Sequence, residues 1–425
     1  MKKINLKRLE EEIIYEKLDN GLEVYLYNKD TAKNNYVTFT TKYGSVYNEF
    51  IPIDKDKYLK VPNGIAHFLE HKMFEQEEGP EVMDFYAQNG AMCNAFTTFK
   101  NTTYLFSGPN KLEENLEFLL DYVQNLYLTI DSVEKEKGII TQEIKMCDDR
   151  PSDILYEQIR KASFVNSAFR ESIIGTKEEV NSITKELLET CYNTFYHPSN
   201  MFLVITGNFD SNKILELIKN NQAKKEFKDE SEIKIKIKKE PDKVVKDKVI
   251  KNIDSNISKF SYNIKVPINN FNMSKRKINL YLYIIFSILF DETSNFDEEL
   301  KKEKIITSSL SINLLNADTH ILVSLINETN KTEELLNKIK KQLKNIDIKK
   351  EDFERKKKVL ISNEIFSFEN IEDVNDMIMD SIIYDGYLED NLIGIISSLS
   401  IEELKDFIKK LDLKNTSVVI LEKNN

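Results

Sequence analysis

The chain has 425 residues, more than a single hydrophobic core usually organises, so we expect two domains of similar size. Hydrophobic residues make up 41% of the sequence and charged residues 31%, a balance that is typical of a folded protein and excludes a disordered one. The 60 basic and 71 acidic residues give a net charge of −11, which argues against nucleic acid or an anionic membrane as the main partner.

The chain carries no predicted targeting or membrane segment. The opening residues, MKKINLKRLEEEIIYEKLDNG, lack the apolar core of a signal peptide. The longest apolar run, residues 280–290, is too short to span a bilayer and predicts a buried helix. Cys93, Cys147 and Cys191 are odd in number and scattered, which favours a reducing compartment without disulfides. We therefore expect a cytoplasmic protein.

The first half predicts an α+β unit. EKLDNGLEVYLYNKD predicts a β-hairpin with Asn20 and Gly21 at its turn, and NNYVTFTTKYGSV predicts a further strand. A helix follows Gly64, a second lies around residues 81–88, and GAMCNAFTTFKNTTYLFSG predicts two strands around a turn. Helices over residues 112–196 and a closing strand, MFLVITGNF, complete a mainly antiparallel sheet with helices packed on it.

The element order then recurs. Residues 224–250 are nearly all Lys, Glu, Asp, Ile and Val, a composition that favours a solvated linker leading into an edge strand over a binding role. Beyond them come a strand (KFSYNIKVPI), a helix over 277–290, strands over 307–327, further helices and a closing TSVVILEK. We expect two similar α+β domains, 1–223 and 251–425, joined by the linker.

Two of the four histidines lie together in GIAHFLEHKMFEQ. On a helix, His67, Glu70 and His71 share one face. Two imidazoles one turn apart can bind a divalent metal, and the carboxylate can accept a proton from a water beside it. A pair of core histidines with a chance glutamate is the alternative, but it leaves an unpaired carboxylate on an apolar helix. The H-x-x-E-H pattern therefore predicts a metal site. The second half has no such cluster, and for its single histidine, His320, a structural role is the default.

A catalytic zinc site needs a third protein ligand. In SVEKEKGIITQEIKMCDD, two carboxylates, Glu136 and Glu143, fall on the same helical stripe as Val133, Ile140 and Cys147, where apolar residues usually pack. Taken alone, the segment fits an exposed acidic helix equally well. Its combination with the histidine cluster makes both glutamates candidates for a role in the metal site.

These motifs resemble those of the pitrilysin and insulysin family of zinc peptidases, the inverzincins, and in particular the two-domain bacterial members of processing-peptidase type. The resemblance is carried by H-x-x-E-H, the later glutamate pair, the strand motif GAMCNAFTTFKNTTY and the sequence YHPSNM that begins at Tyr196. It implies that Zn²⁺ is bound by His67, His71 and Glu143. It also implies that Glu70 is the general base and that Glu136 orients a ligand.

The resemblance further implies how a substrate is held. The strand around Asn94 and Ala95 would pair with the backbone of a peptide, which would allow varied sequences to bind. The fold implied is α+β, with two homologous domains that form half of a clamshell. The implied activity is that of a zinc metalloendopeptidase acting on peptides or small unfolded proteins.

One part of the family pattern is missing. Active assemblies usually add an arginine and a tyrosine from a segment of the form E-L-R-x(6)-Y, and FDEELKKEKIITSSL has Lys301 and Ser308 at those positions. Neither can replace the planar guanidinium or the phenol. The resemblance favours a heterodimer whose homologous partner subunit supplies the pair, with a homodimer as the alternative. A non-catalytic structural subunit and a maturation protease for a ribosomally made peptide are further alternatives.

Overall fold

The computed structural model describes residues 1–53, 55–228 and 232–424. The chain forms two compact units, each built from three segments. The first unit comprises Met1–Ile144, Ser172–Ile237 and Ile365–Asn391. The second comprises Lys145–Glu171, Lys238–Glu364 and Leu392–Asn425.

The strands are, in chain order, β1 (Lys2–Leu6), β2 (Glu11–Lys17), β3 (Glu23–Asn28), β4 (Asn35–Thr41), β5 (Glu49–Ile51), β6 (Leu59–Lys60), β7 (Met92–Thr97), β8 (Thr102–Gly108), β9 (Met201–Gly207), β10 (Lys234–Ile235), β11 (Lys248–Ile253), β12 (Lys259–Pro267), β13 (Ser311–Asn316), β14 (His320–Glu328) and β15 (Thr416–Lys423). They form a seven-stranded sheet in the order β1-β2-β3-β9-β4-β8-β7, a small sheet β10-β5-β6 and a five-stranded sheet β11-β15-β12-β14-β13. The hairpin predicted at Asn20 and Gly21 is the antiparallel pair β2 and β3.

The α-helices are, in chain order, α1 (Ile65–Lys72), α2 (Val82–Gln88), α3 (Leu112–Val123), α4 (Ile130–Asp149), α5 (Pro151–Ser163), α6 (Lys177–Asn181), α7 (Lys185–Phe195), α8 (Ser211–Ala223), α9 (Lys275–Phe290), α10 (Asn295–Lys302), α11 (Thr332–Leu343), α12 (Lys350–Ser367), α13 (Ile371–Asp385), α14 (Leu392–Ser398) and α15 (Ile401–Lys410). Within the described residues, none of these helices has both the length and the apolar character required to cross a bilayer.

The duplicated α+β fold is confirmed by the strand pairing. In the first unit, the run β3-β9-β4-β8-β7 has one parallel pair, β3 with β9, followed by antiparallel pairs. In the second unit, β11-β15-β12-β14-β13 repeats this pattern, with β11 parallel to β15. Mainly antiparallel sheets with helices packed on them are the expected α+β class.

The units exchange helices, an arrangement that the sequence did not indicate. α5 follows the helices of the first half but packs on β12 and β15, whereas α13 lies late in the chain and packs on β4 and β9. The face that α13 covers is apolar, with Tyr25, Tyr27, Phe202 and Val204 buried beneath Val374, Ile378 and Ile382. Burying this sheet face provides a hydrophobic reason for the exchange.

The charged segment 224–250 is only partly the solvated linker that its composition predicted. Residues 229–231 lie outside the described part of the chain, and β11 is an edge strand, as expected. Glu240, however, is buried with Lys265, and their side chains are 3% and 0% exposed. The Glu240 carboxylate also accepts the backbone N–H groups of residues 165–167 at 2.7 to 2.8 Å. Composition predicts a charged surface for this segment because it does not indicate which distant residues will contact Glu240.

Candidate metal centre

Helix α1 begins at a close backbone contact that only glycines permit. Gly64, at the start of the helix, has φ 87°, and Gly175 has φ 75°. A Cβ on Gly64 would lie 2.4 Å from the carbonyl oxygen of Ile174, and a Cβ on Gly175 would lie 2.5 Å from that of Asn63. Both glycines therefore combine a left-handed conformation with a lack of space for any side chain. The contact fixes where α1 starts.

Three side chains predicted to bind metal converge in the first unit. His67 Nε2 lies 3.7 Å from Glu143 Oε1, and His71 Nε2 lies 3.6 Å from Glu143 Oε2. The two imidazole rings are 4.6 Å apart between centroids. One ligand atom from each of the three residues lies within 4.8 Å of the other two. Helices α1 and α4, which are distant in sequence, thus present their ligands to one point.

Glu136 determines which nitrogen of His71 faces that point. The Nδ1 atom of His71 lies 2.9 Å from Glu136 Oε1. A carboxylate only accepts, so Nδ1 carries a proton, and Nε2 is the ring nitrogen that faces Glu143. Burial alone would lower the pKa of His71, but the hydrogen bond and charge of Glu136 raise it above its ordinary value. Glu136 therefore orients the ring, as a carboxylate behind a metal-binding histidine does in zinc sites.

His67 is buried and neutral. Burial, with the nearby charge of His71, lowers the pKa of His67 to about 3. Its Nδ1 is also buried and has no hydrogen-bond partner among the described residues, whereas Nε2 faces Glu143. A neutral imidazole is the form that binds metals.

Glu70 lies on the same helix and is also buried. Burial raises its pKa above the ordinary value, while a hydrogen bond from Thr97 and the charge of His71 act in the opposite direction. The hydroxyl of Thr97 donates to Glu70 Oε2 at 2.5 Å. A buried carboxylate with a raised pKa is suited to accept a proton and return it.

The three ligand side chains fit a zinc ion. Nitrogen and oxygen ligands about 2.0–2.1 Å from a tetrahedral ion are about 3.3 Å from one another. The observed separations of 3.6 and 3.7 Å are close to this value and too long for direct hydrogen bonds. When His71 is neutral with its proton on Nδ1, beside Glu136, its Nε2 lone pair is available to bind a metal. Two imidazoles and a carboxylate are also a ligand set that zinc accepts.

The other predicted site residues lie on an edge strand. β7, which carries Asn94 and Ala95, is the last strand of the seven-stranded sheet. The backbone N–H of Ala95 donates to the side-chain oxygen of Asn94 at 2.9 Å. The predicted peptide-binding strand thus has an edge to which a further strand can be added.

Sequence reasoning did not assign a role to the hydroxyl groups next to Glu70. Thr97 contacts the carboxylate directly, and buried Tyr104 and Tyr196 share a hydrogen bond of 2.8 Å close to its charge. All three belong to the motifs that carry the family resemblance. The available signal was strand alternation, which puts Thr97 on the same face of β7 as Ala95 and Cys93, the face that packs on the core.

Two protein-family models match the chain. The model described as Insulinase (Peptidase family M16) matches residues 55–177, which include every residue of the candidate metal centre. The model described as Peptidase M16 inactive domain matches residues 182–360.

Individual relatives agree with these matches. The zinc protease YmfH of Bacillus subtilis (strain 168) is 42% identical over 315 residues, 73% of each chain. The mitochondrial-processing peptidase subunit beta of Rattus norvegicus is 29% identical over 161 residues, 37% of this chain and 33% of the relative. The crystal structure of an M16-like peptidase from Alicyclobacillus acidocaldarius superposes with a TM-score of 0.93 at 31% identity, covering 99% of this chain and 100% of the other. The expected relationship is confirmed, and the chain belongs to the M16, or insulinase, family of peptidases.

Proposed function

We propose that the chain is a zinc metalloendopeptidase that hydrolyses peptides or small unfolded proteins. The observation that carries this proposal is the convergence of His67, His71 and Glu143 beside the buried carboxylate of Glu70. Relatives that are named zinc proteases support it. The cytoplasmic location expected from the sequence is part of this proposal.

The substrate would bind in an extended conformation along β7. Its backbone would take the hydrogen bond of the Ala95 N–H in place of the Asn94 side chain, which now accepts it at 2.9 Å. Main-chain pairing of this kind accepts many side chains. A peptide bond would be brought towards α1, which packs against β7.

The protein's residues then divide the chemistry. When bound, zinc supplies the Lewis acidity that activates a water and polarises the carbonyl of the scissile bond. Glu70 accepts the proton of the attacking water and returns it to the amine that leaves. Glu136 keeps the proton of His71 on Nδ1, so that Nε2 stays available as a ligand.

We further propose that a homologous partner chain completes the site. Lys301, which occupies the position of the family arginine, bonds to buried Asp297 and to the hydroxyl of Ser309, each at 2.7 Å. It is therefore committed to neighbours in its own unit, and Ser308 lacks a phenol. The similarity to a protein named as a subunit favours the heterodimer over a homodimer.

The test combines metal analysis with peptide hydrolysis. The purified chain is assayed for zinc and for cleavage of a mixed library of quenched peptides, with Glu70→Gln as the control. We expect about one zinc per chain and, in Glu70→Gln, retained zinc with a loss of turnover of at least about 100-fold.

Each outcome separates the parts of the proposal. Hydrolysis by the chain alone would show that no partner is needed. Bound zinc without hydrolysis would direct the search to a homologous chain that carries the arginine and tyrosine. A chain that binds no zinc, or a Glu70→Gln variant that hydrolyses normally, would overturn the proposed function.

A further inference from the structure

The hydrogen bond between Thr97 and Glu70 links the peptide-binding strand to the proposed base. We propose that Thr97 is a positioning residue: its hydroxyl holds the Glu70 carboxylate in one orientation and leaves one carboxylate oxygen for the attacking water. The bond is 2.5 Å long and joins Thr97 Oγ1 to Glu70 Oε2. Glu70 Oε1 remains for proton transfer. This inference rests on the proposed function, because it assigns Thr97 a task towards Glu70.

The geometry of β7 makes Thr97 suitable for this task. Thr97 is the last residue of the strand and pairs with Thr102 of β8, so its backbone is held by the sheet. The Thr97 oxygen lies 3.3 Å from the hydroxyl of Thr102, which itself donates to the backbone oxygen of Tyr43 at 2.9 Å. The Thr102 proton is thus engaged elsewhere, and the single Thr97 proton is free to go to Glu70.

Thr97 also relates the base to the substrate. In a strand, residues two apart point to the same face, so Thr97 and Ala95 lie on one side of β7, about 7 Å apart along the strand. A peptide paired with the edge at Ala95 and a carboxylate held at Thr97 would therefore share one rigid element. A hydrogen bond to an ionised, buried carboxylate is of the strong, charge-assisted kind and restricts its rotamers.

The test compares two substitutions at one position. Thr97→Val keeps the shape of the side chain and removes the hydroxyl, and Thr97→Ser keeps the hydroxyl. Thr103→Val is the matched control, because Thr103 makes a similar buried bond to Thr40, at 2.9 Å, away from Glu70. We expect Thr97→Val to lower kcat by roughly 10-fold to 100-fold with KM changed by less than about twofold. Thr97→Ser and the control should retain kcat within about threefold, and all variants should bind zinc equally.

A structural readout makes the test independent of turnover. In crystal structures of the metal-free variants, we expect the Glu70 carboxylate to leave its orientation in Thr97→Val and to keep it in Thr97→Ser. An unmoved Glu70 in Thr97→Val, an unchanged kcat, or a Thr97→Ser variant as impaired as Thr97→Val would each overturn the inference. If the wild type binds zinc but cleaves nothing, with or without a homologous chain, the proposed function fails, and the orientation of Glu70 still decides whether Thr97 positions it.

Discussion

The two units share one strand order and differ in the polar residues that their helices carry. In the first unit, α4 follows the β7 and β8 hairpin and α3, and it bears Glu136 and Glu143. In the second unit, α12 follows the β13 and β14 hairpin and α11, and its buried polar residues are Lys356 and Lys357. The two units therefore share the sheet pattern of the fold, and a few polar positions on the helices distinguish the unit that carries the candidate metal centre.

The charged and titratable groups of the two units are paired in different ways. In the second unit, the Glu240 carboxylate is in direct contact with Lys265, and Lys357 donates to the backbone oxygen of Leu399 at 2.7 Å. In the first unit, His71 Nε2 and Glu143 Oε2 lie 3.6 Å apart, too far for a direct hydrogen bond. Buried donors paired with acceptors stabilise a fold, whereas ligand atoms that lie close together but beyond hydrogen-bond distance leave room for a cation.

Replacing Glu143 should leave the first unit, like the described part of the second, without a complete set of metal ligands. We expect Glu143→Ala to lose zinc during dialysis against a weak chelator and to lose all measurable hydrolysis, because two histidines alone are an incomplete ligand set. Zinc is measured by atomic absorption. The control is Glu134→Ala on the same helix, an exposed residue that pairs with Lys137 at 2.6 Å. Retention of zinc by Glu143→Ala would remove Glu143 from the ligand set.

Breaking the ion pair of the second unit should affect stability and leave the metal centre intact. We expect Glu240→Gln to lower the free energy of unfolding by about 3–5 kcal/mol, because it leaves a buried Lys265 without its counter-charge. Zinc binding should be unchanged. Urea denaturation measures the effect, with Glu298→Gln, an exposed residue paired with Lys302, as the control. A loss of less than about 1 kcal/mol would show that the pair contributes little.

The pair of Glu240 and Lys265 should also make the stability of the protein depend on pH. Burial alone would raise the pKa of Glu240, but Lys265 and the backbone N–H donors lower it below the ordinary value of 4.5. A carboxyl with a lowered pKa in the folded state contributes stability above its ordinary pKa, and this contribution is lost as the pH falls through the lowered value. The difference in the free energy of unfolding between the wild type and Glu240→Gln should therefore become smaller as the pH falls below about 4.5.

The smallest effect should come from Glu136, which acts on the metal through His71. We expect Glu136→Ala to weaken zinc affinity by about 10-fold to 100-fold without removing the metal at saturating concentration. Competition with a fluorescent chelator measures this. An affinity equal to that of the wild type would indicate that the hydrogen bond to His71 Nδ1, observed at 2.9 Å, does not orient the ring.

Local patterns predicted much of the candidate site. The period of one helix places His67, Glu70 and His71 on a single face. The period of another helix places Glu136 and Glu143 on a single face. The family resemblance, rather than either pattern, indicated that the two helices meet. Thr97 was not predicted as a site residue, because its contact with Glu70 depends on how β7 packs against α1.

The sequence by itself therefore determined the α+β class, the repeated element order and the candidate ligands, since each depends on periodicity within one segment. Only the tertiary structure decided the exchange of α5 and α13 between units, the burial of Glu240 against Lys265 and the contact of Thr97 with the base. These features join segments that are distant in the chain. Their physical reason is the burial of sheet faces and the pairing of charges across the folded molecule, which no local pattern records.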